Sequence, residues 1–519
     1  MNARTTSTGI VAAALMLAAT GCGMLPGGVA APPPSTSAPA PAPSSEPATS
    51  EPAAAESPRA GQDTRPALAE SRSTMTARLK VEVVGLNRVK GKHLVAQLRL
   101  SNTGTEQVPW TGEMGDHTRK LGQIRWASGI GVLDTAARVW LLPYQPADSP
   151  CLCSDHERDD LGYFIEPGES ITVYAVLPAP SGNPATATVV TPVGPPMLNV
   201  PISDEPPAGD FPDPDAQPVT PVTRRLVLPS ESLDKSEETA DDGADLRVNL
   251  SSDVLFAVNR ATLTPRAKAV LARTAKLIDA SPATVVKVDG HADSSGTDAI
   301  NDPLSRRRAV AVQRALSALL TREGVRFQAR GYGSRRPLYE NDTDEGKRRN
   351  RRVTVTFTKP KAEQPDPVGD VVQTLAPGAD GLTAEDGRFG LEVTGLRRLP
   401  GGVGLLTYTV TNRGPEESWY NELHDAQDWE AYKYQAAGNV RLTDVAARRL
   451  YLPGRLQVPT DDGVDSYCAC TDVSGVRVST EKFAPDQSRT FWSLFDLPDD
   501  ARTLNVKIAT FQELSVPVQ

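Results

Sequence analysis

Arg306, Arg307 and Arg308 stand in a row within a segment whose apolar residues recur at helical spacing. With Leu304 set at 0° and about 100° of turn per residue, Val312, Ala315, Leu316 and Leu319 fall on one stripe. Arg308 lies inside that stripe, at about 40°, while Arg306 and Arg307 lie outside it. A guanidinium among apolar residues needs an anionic partner, because an unpaired buried charge is costly. Two readings stand. Arg308 either forms a structural ion pair with a carboxylate such as Asp289 or Asp293, or holds a ligand.

The five cysteines of the 519-residue chain are the second group with distinctive chemistry. Four form two Cys-x-Cys pairs, Cys151/Cys153 and Cys468/Cys470, and the fifth is Cys22. A bent backbone brings such close residues within the usual disulfide Cα separation of about 4.4 to 6.8 Å. A local disulfide in each pair is the first expectation for an exported chain, with bridges between the pairs or a soft-metal or redox-active dithiol as alternatives. His156 lies near the first pair, but no His or Met stands beside the second, which argues against a metal site common to both. No metal or other cofactor is expected.

Export is read from the N-terminus. A basic start at Arg4 is followed by an apolar run from about Ile10 to Ala19 and then Thr20-Gly21-Cys22. About 10 apolar residues fall short of the roughly 20 that span a bilayer, so residues 1–21 read as a cleaved signal. The ending resembles a bacterial lipoprotein box, with Ala19 where Leu is commoner, and implies lipidation of Cys22. No other segment is long and apolar enough to cross a membrane.

Composition divides the rest. Residues 22–75 are rich in Pro, Ala and Ser and read as a disordered tether. Segments 206–243 and 359–385, polar and rich in Pro and Asp, read as linkers. They bound a domain at 76–205, a second at 244–358 and a third at 386–519. The formal net charge is −9 overall, yet residues 245–358 carry about 21 basic and about 12 acidic side chains.

The outer regions repeat each other. Leu79-Lys80-Val81-Glu82-Val83-Val84-Gly85-Leu86 parallels Phe389-Gly390-Leu391-Glu392-Val393-Thr394-Gly395-Leu396, Asn102-Thr103-Gly104 parallels Asn412-Arg413-Gly414, and Ala136-Ala137-Arg138 parallels Ala446-Ala447-Arg448. Alternating runs such as Leu94–Leu100 and Ile171–Val176 predict antiparallel strands and an all-β sandwich in each copy. A strand ending in Asn-x-Gly is similar to Ig-like modules of bacterial surface lipoproteins, which implies contact or spacing with a protein partner not named by the sequence.

The middle region changes period. A strand over Val248–Phe256, a helix opened by Thr264-Pro265, a strand over Thr284–Val288, a helix over about Asn301–Arg322, and strands at Val325–Ala329 and Arg352–Phe357 give the order βαβαβ and then β. Thr274, the polar member of the first helix's buried face, is expected to bond back to a carbonyl one turn earlier. Pro303 is expected to start the second helix late, at about Asp302. The chain is thus read as multidomain, a central α/β sandwich flanked by two all-β sandwiches.

Gly290-His291-Ala292-Asp293-Ser294-Ser295-Gly296, then Asn301, Leu304-Ser305, Arg308-Ala309, Gly331-Tyr332-Gly333, Pro337, Asn341, Gly346 and Asn350-Arg351-Arg352-Val353, in this order and spacing, resemble the OmpA-like peptidoglycan-binding domain. The match covers about a fifth of the chain. The resemblance implies a non-enzymatic site for the diaminopimelate of a stem peptide, whose ammonium and carboxylate need an acid and a base a few ångströms apart. Asp293 and Arg308 match the family's acid and base. Asn301 is expected to order the site or touch the peptide, with a helix cap as the alternative; Leu304 to wall the pocket or else to be simply core; and Asn259, where many members carry aspartates, to offer a hydrogen bond. His291 is expected to hydrogen-bond the loop, and Arg351 and Arg352 either to touch the glycopeptide or to form a solvated basic surface.

The expectation is therefore a protein lipid-anchored to the cell membrane outside the cytoplasm, holding peptidoglycan and binding no nucleic acid. The alternative is an extracytoplasmic redox or metal-handling lipoprotein that uses the Cys-x-Cys pairs and binds the wall only for localisation. A flagellar-type stator component is disfavoured by the missing transmembrane helix.

Overall fold

Every backbone N–H and C=O that leaves water must find a partner, and in this protein many find one in sheets. The computed structural model describes residues 63–74, 76–119, 126–359, 382–424, 436–460, 463–471 and 482–519. The signal segment, Cys22 and most of the expected tether lie outside the described residues. No described helix is long and apolar enough to cross a membrane.

The duplication is visible in matching detail. Ala69–Arg72, Leu79–Val89, His93–Asn102 and Ser170–Pro178 form a four-stranded antiparallel sheet, and Thr383–Asp386, Phe389–Leu399, Val403–Asn412 and Ser488–Asp496 form its counterpart in the same order. Both carry a register shift at one place, between Val83 and Gly85 and between Val393 and Gly395. Both close the Asn-x-Gly turn alike. The Gly104 N–H donates to Asn102 Oδ1 at 2.9 Å and the Gly414 N–H to Asn412 Oδ1 at 3.0 Å. The side-chain amides of these asparagines donate to the carbonyls of Ile165 and Phe483. Two edge strands begin earlier than the composition suggested, at Ala69 inside the expected tether and at Thr383 inside the expected second linker.

Each of these sheets packs through an apolar core against strands such as Gly131–Asp134 and Thr186–Thr191 in the first copy, or Val440–Asp444 and Thr503–Ile508 in the second. These facing strands belong to one 16-stranded sheet that also runs through the central domain. What joins them is a strand where a linker was expected. Val219–Ser232 pairs with Val139–Pro146 of the first copy, with Arg455–Thr460 and Arg449–Tyr451 of the second, and with Glu237–Asp241, which in turn pairs with Asp245–Ser251. Only its first half alternates buried and exposed; Leu226 to Glu231 are buried without a break, because neighbours cover both faces there. A cluster of Trp140, Leu142, Leu226, Leu228, Leu405, Leu456, Trp492 and others gives the two copies a common core. Residues 60–519 accordingly form one compact unit.

The same turn meets two fates in the two copies. Asp134 and Asp444 each accept from the N–H three residues on, and Arg138 and Arg448 each adopt a left-handed φ, 52° and 53°. Arg448 is exposed, whereas Arg138 is 1% exposed and bridges Asp241 at 3.2 Å and Asp496 at 3.1 Å. One turn is a surface feature and the other a joint between copies.

The central domain orders its strands Asp245–Ser251, Arg352–Thr358, Val285–Gly290, Arg326–Gly331, with only the last two parallel. Its first strand stops at Ser251, earlier than expected, and a one-turn helix follows, α1 (Ser252–Leu255). Helices α2 (Ala267–Ala280) and α3 (Asp298–Leu319) pack on the sheet through Val270, Leu271, Ile278, Val312 and Leu316. Thr264 Oγ1 accepts the Ala267 N–H, and Thr274 Oγ1 donates to the Val270 carbonyl at 3.2 Å, one turn back as expected. Helix α3 starts a turn earlier than Pro303 suggested. The proline removes one N–H in the second turn, and the N–H groups of Ile300 and Asn301 still reach the Thr297 carbonyl. Leu319, on the predicted stripe, is exposed as the last residue of the helix. The loop expected before the last strand contains α4 (Asp344–Asn350), whose N-cap Thr343 accepts from the Gly346 N–H at 3.0 Å.

Candidate functional site

Helix α3 reaches the site because two glycines let it approach the sheet. A Cβ at Gly290 would strike the Ser305 backbone and one at Gly331 the Arg306 backbone, so the ends of both parallel strands press directly on α3. That contact sets the Gly290–Gly296 loop beside the first turns of the helix. Ser305 Oγ accepts the Gly333 N–H at 3.1 Å and Ala292 N–H donates to the Gly333 carbonyl at 2.8 Å, tying the two loops together.

Asp293, 6% exposed, is held from two sides: Oδ1 accepts the Ser295 N–H at 2.9 Å and Oδ2 accepts Arg351 Nη1 at 2.7 Å. Arg351 forks onward to Asp253 at 2.7 Å, and with both carboxylates beside it its pKa is raised further above the ordinary arginine value. Arg308 is buried as the helical wheel required. Its Nε donates to the Arg260 carbonyl at 3.0 Å and its guanidinium lies 5.2 Å from the centre of the Phe256 ring.

The structural ion pair between Arg308 and Asp289 or Asp293 is not formed. Among the described residues Arg308 has no carboxylate within 4.0 Å, and its two terminal nitrogens have no hydrogen-bond partner. Arg351 has taken the carboxylate instead. Burial lowers the Arg308 pKa, Asp253 and Asp293 raise it and Arg351 lowers it, so the carboxylates are near enough to act through space without contact. Arginine stays protonated, which leaves a half-desolvated fork facing outward.

The remaining site residues divide. Asn301 is buried, and its side-chain amide donates to the Ser295 carbonyl at 2.9 Å, so it orders the loop. Leu304 is buried but outside the domain's apolar cluster. Asn259 is exposed, with a left-handed φ of 56°, in the turn that carries the Arg260 carbonyl. Arg351 and Arg352 are not a solvated surface: Arg351 is the bridge just described, and Arg352 is buried, its pKa lowered by burial to about 10. His291 does not bond the loop through Nδ1, which is buried with no partner among the described residues; the ring stacks on Tyr332 with centroids 5.5 Å apart. Sequence reasoning missed Asp253 and the bridging role of Arg351; only the third dimension brings α1 under the end of α4.

Burial, then Arg352 and Arg336, depress the His291 pKa to about 3 from an unfolded value near 6.5. The unfolded chain binds this proton first, so the contribution is complete above pH 6.5 and is lost as pH falls toward 3. His291→Phe, which keeps the stack, is expected to shrink the drop in urea midpoint between pH 7.5 and pH 5 and to leave the histidine-independent part unchanged. An equal drop in both proteins would exclude a neutral, buried His291.

A model described as the OmpA family matches residues 255–351. The putative lipoprotein YfiB of Escherichia coli is 33% identical over 122 residues, 23% of this chain and 75% of that protein. The chain belongs to the OmpA family. Its OmpA domain is also similar to outer membrane porin F of Pseudomonas aeruginosa, 41% identical over 106 residues, 20% of this chain and 30% of that one. The probable lipoprotein YiaD of Escherichia coli is 36% identical over 118 residues, 22% of this chain and 52% of that one. The chain therefore spans about a third to a half of the length of these last two relatives. Among solved structures, the cell wall anchor of the T6SS from Pseudomonas aeruginosa is 30% identical over 24% of this chain and 90% of that one, with a TM-score of 0.23. The OmpA match starts at Leu255 and ends at Arg351, enclosing Asp293, Arg308 and Asn301.

In the β copies the cysteines of each pair are within disulfide reach, with Cα separations of 5.3 Å for Cys151–Cys153 and 5.2 Å for Cys468–Cys470. Equivalent bridges seat them, Cys153 opposite Ala175 and Cys470 opposite Ser493. So short a loop removes little unfolded-chain entropy, and replacing one pair by Ala is expected to cost at most about 2 kcal/mol. Iodoacetamide labelling of the denatured chain should modify none of these four cysteines without reductant and all four with it, read by mass.

Proposed function

We propose that this chain is a non-enzymatic envelope protein, lipid-anchored at Cys22 and extracytoplasmic, whose OmpA domain holds peptidoglycan by the diaminopimelate of the stem peptide. Arg308 takes the diaminopimelate carboxylate and Asp293 its ammonium, while Asn301 orders the loop, Leu304 walls the pocket and Asn259 lies at its rim. The observation that carries the reading is the Arg308 fork. A buried cation with both terminal nitrogens, four N–H groups in all, unspent and, among the described residues, no anion within 4.0 Å is matched by a carboxylate from outside. Asp293 keeps acceptor capacity after its two bonds, since a carboxylate offers about four lone-pair positions.

The lipid anchor rests on the N-terminal sequence and on relatives named as lipoproteins. The two attachments belong to one chain, so the link between membrane and wall is mechanical. A redox or metal-handling role for the Cys-x-Cys pairs is less well supported, because all four residues are at most 2% exposed and exchange partners need access to sulfur.

Co-sedimentation of the full chain with purified diaminopimelate-type peptidoglycan tests the reading. Free diaminopimelate should release the protein, whereas lysine at the same concentration should not. Release by salt alone, with both amino acids inert, would show that the domain's basic surface holds the wall nonspecifically.

A further inference from the structure

The C-terminal end of helix α4 is gripped from two sides. Arg348 and Arg349 face the strand Val219–Ser232 and its hairpin partner, where Arg349 pairs with Glu231 at 2.8 Å and Glu238 at 3.0 Å. The next two residues face the ligand loop. Arg351 holds Asp293, and Asn350, wholly buried, fastens the segment before the helix: its Oδ1 accepts the N–H groups of Leu338 and Tyr339, and its Nδ2 donates to the Tyr339 carbonyl and to Asn341 Oδ1. Asn341 Oδ1 in turn accepts the N–H of Ser294, the neighbour of Asp293, at 3.1 Å.

Tyr339 is where this chain of bonds meets the rest of the protein. Its hydroxyl donates to Glu238 Oε1 at 2.7 Å and accepts from Arg455 Nη2, in the second β copy, at 3.0 Å. The Arg349 and Arg455 guanidiniums both lie over its ring, 5.1 and 5.5 Å from its centre. A continuous run of hydrogen bonds therefore leads from Arg455 through Tyr339, Asn350 and Asn341 to Ser294, buried or half-buried up to Asn341 and exposed at its last link.

We infer that the second β copy is a positioning element for the ligand site, with Tyr339 and Asn341 as the positioning residues that hold the Asp293 loop in its binding geometry. Neither touches the ligand. A loop fixed before binding loses less conformational freedom on capture, so the brace acts as preorganisation. The inference rests on the peptidoglycan reading for its effect on affinity, but not for its effect on the loop.

The test uses the full chain, wild type beside Tyr339→Phe, Asn341→Ala and the double variant. Calorimetry would measure binding of a soluble stem peptide containing diaminopimelate, and amide hydrogen exchange would be read at Ser294 and Ser295 against Val285–Gly290. Each single variant should weaken binding about fivefold, and the double variant no more than the worse single, because both cut one path. Exchange should quicken at Ser294 and Ser295 and stay unchanged along the strand, a pattern that general destabilisation does not produce. Wild-type affinity in Tyr339→Phe, or two effects that add, overturns the inference. If the wild type fails to bind the peptide, the ligand reading falls, and the exchange at Ser294 alone decides the brace: faster in Tyr339→Phe supports it, unchanged refutes it.

Discussion

Arg308→Ala should abolish peptidoglycan binding, lowering affinity for a diaminopimelate-containing peptide about 100-fold or more. Each hydrogen bond to a charged group contributes about 1.5 to 3 kcal/mol, and two parallel bonds from one fork disappear together. Arg308→Lys keeps the charge but not the fork, and it also loses the Nε bond to the Arg260 carbonyl; a loss of about tenfold is expected. Arg306→Ala and Arg307→Ala, both exposed on the outer face of α3, should change only the salt-sensitive component. Titration of one peptide at two salt concentrations separates these cases. If Arg306→Ala costs as much as Arg308→Ala, the site is a charged surface and the inward arginine is structural.

The contrast between these three arginines was legible in the sequence, because helical periodicity depends on nothing beyond the chain's own repeat. The choice of partner for Arg308 was not. A wheel says that a guanidinium turns inward, but the carboxylate it was expected to meet was claimed by Arg351, which arrives from α4, 43 residues further on, and is shared with Asp253 on α1. Competition among charges for one acceptor is settled in three dimensions. His291 shows the same limit, since its stack on Tyr332 depends on how the ends of two parallel strands lie together.

The fold divides along a similar line. The repeat was legible down to Asn102/Asn412 and the residues around the Gly85/Gly395 shift, because duplication preserves local solutions. Within the expected linker at 206–243 the strand Val219–Ser232 was not read, because proline and aspartate dominate the segment's average, while the signal sat in a short alternation, Val222, Arg224, Leu226, Leu228. Two of those positions are buried leucines at a core shared by both copies, and Arg224 is buried by pairing with Asp116 at 2.9 Å. A strand whose neighbours come from three separate stretches of chain gives no local sign of where it will pair.

That shared strand makes Arg349 the most consequential side chain for stability. Its side chain is 3% exposed and hydrogen-bonds Glu231, Glu238 and Glu345, two of them on the strand or its hairpin partner. Arg349→Met leaves Glu231 and Glu238 in a low-dielectric joint with one cation fewer, and a buried ion pair broken from one side costs about 3 to 5 kcal/mol. Glu231 retains Arg348 at 3.2 Å and Glu238 retains the Tyr339 hydroxyl, so the lower end of that range is expected. Because Val219–Ser232 is a strand of both copies and, through its hairpin, of the central sheet, the loss should not stay local. Urea unfolding followed by tryptophan fluorescence, which reports on Trp140 and Trp492 in the shared core, should shift together with circular dichroism of the whole chain. Independent modules would instead leave the fluorescence midpoint unmoved while only the central domain melted early. Adding Glu231→Gln and Glu238→Gln to Arg349→Met should recover part of the stability, since the uncompensated charge and not the lost contact carries most of the cost. A triple variant no more stable than Arg349→Met would place the cost in packing around α4 instead.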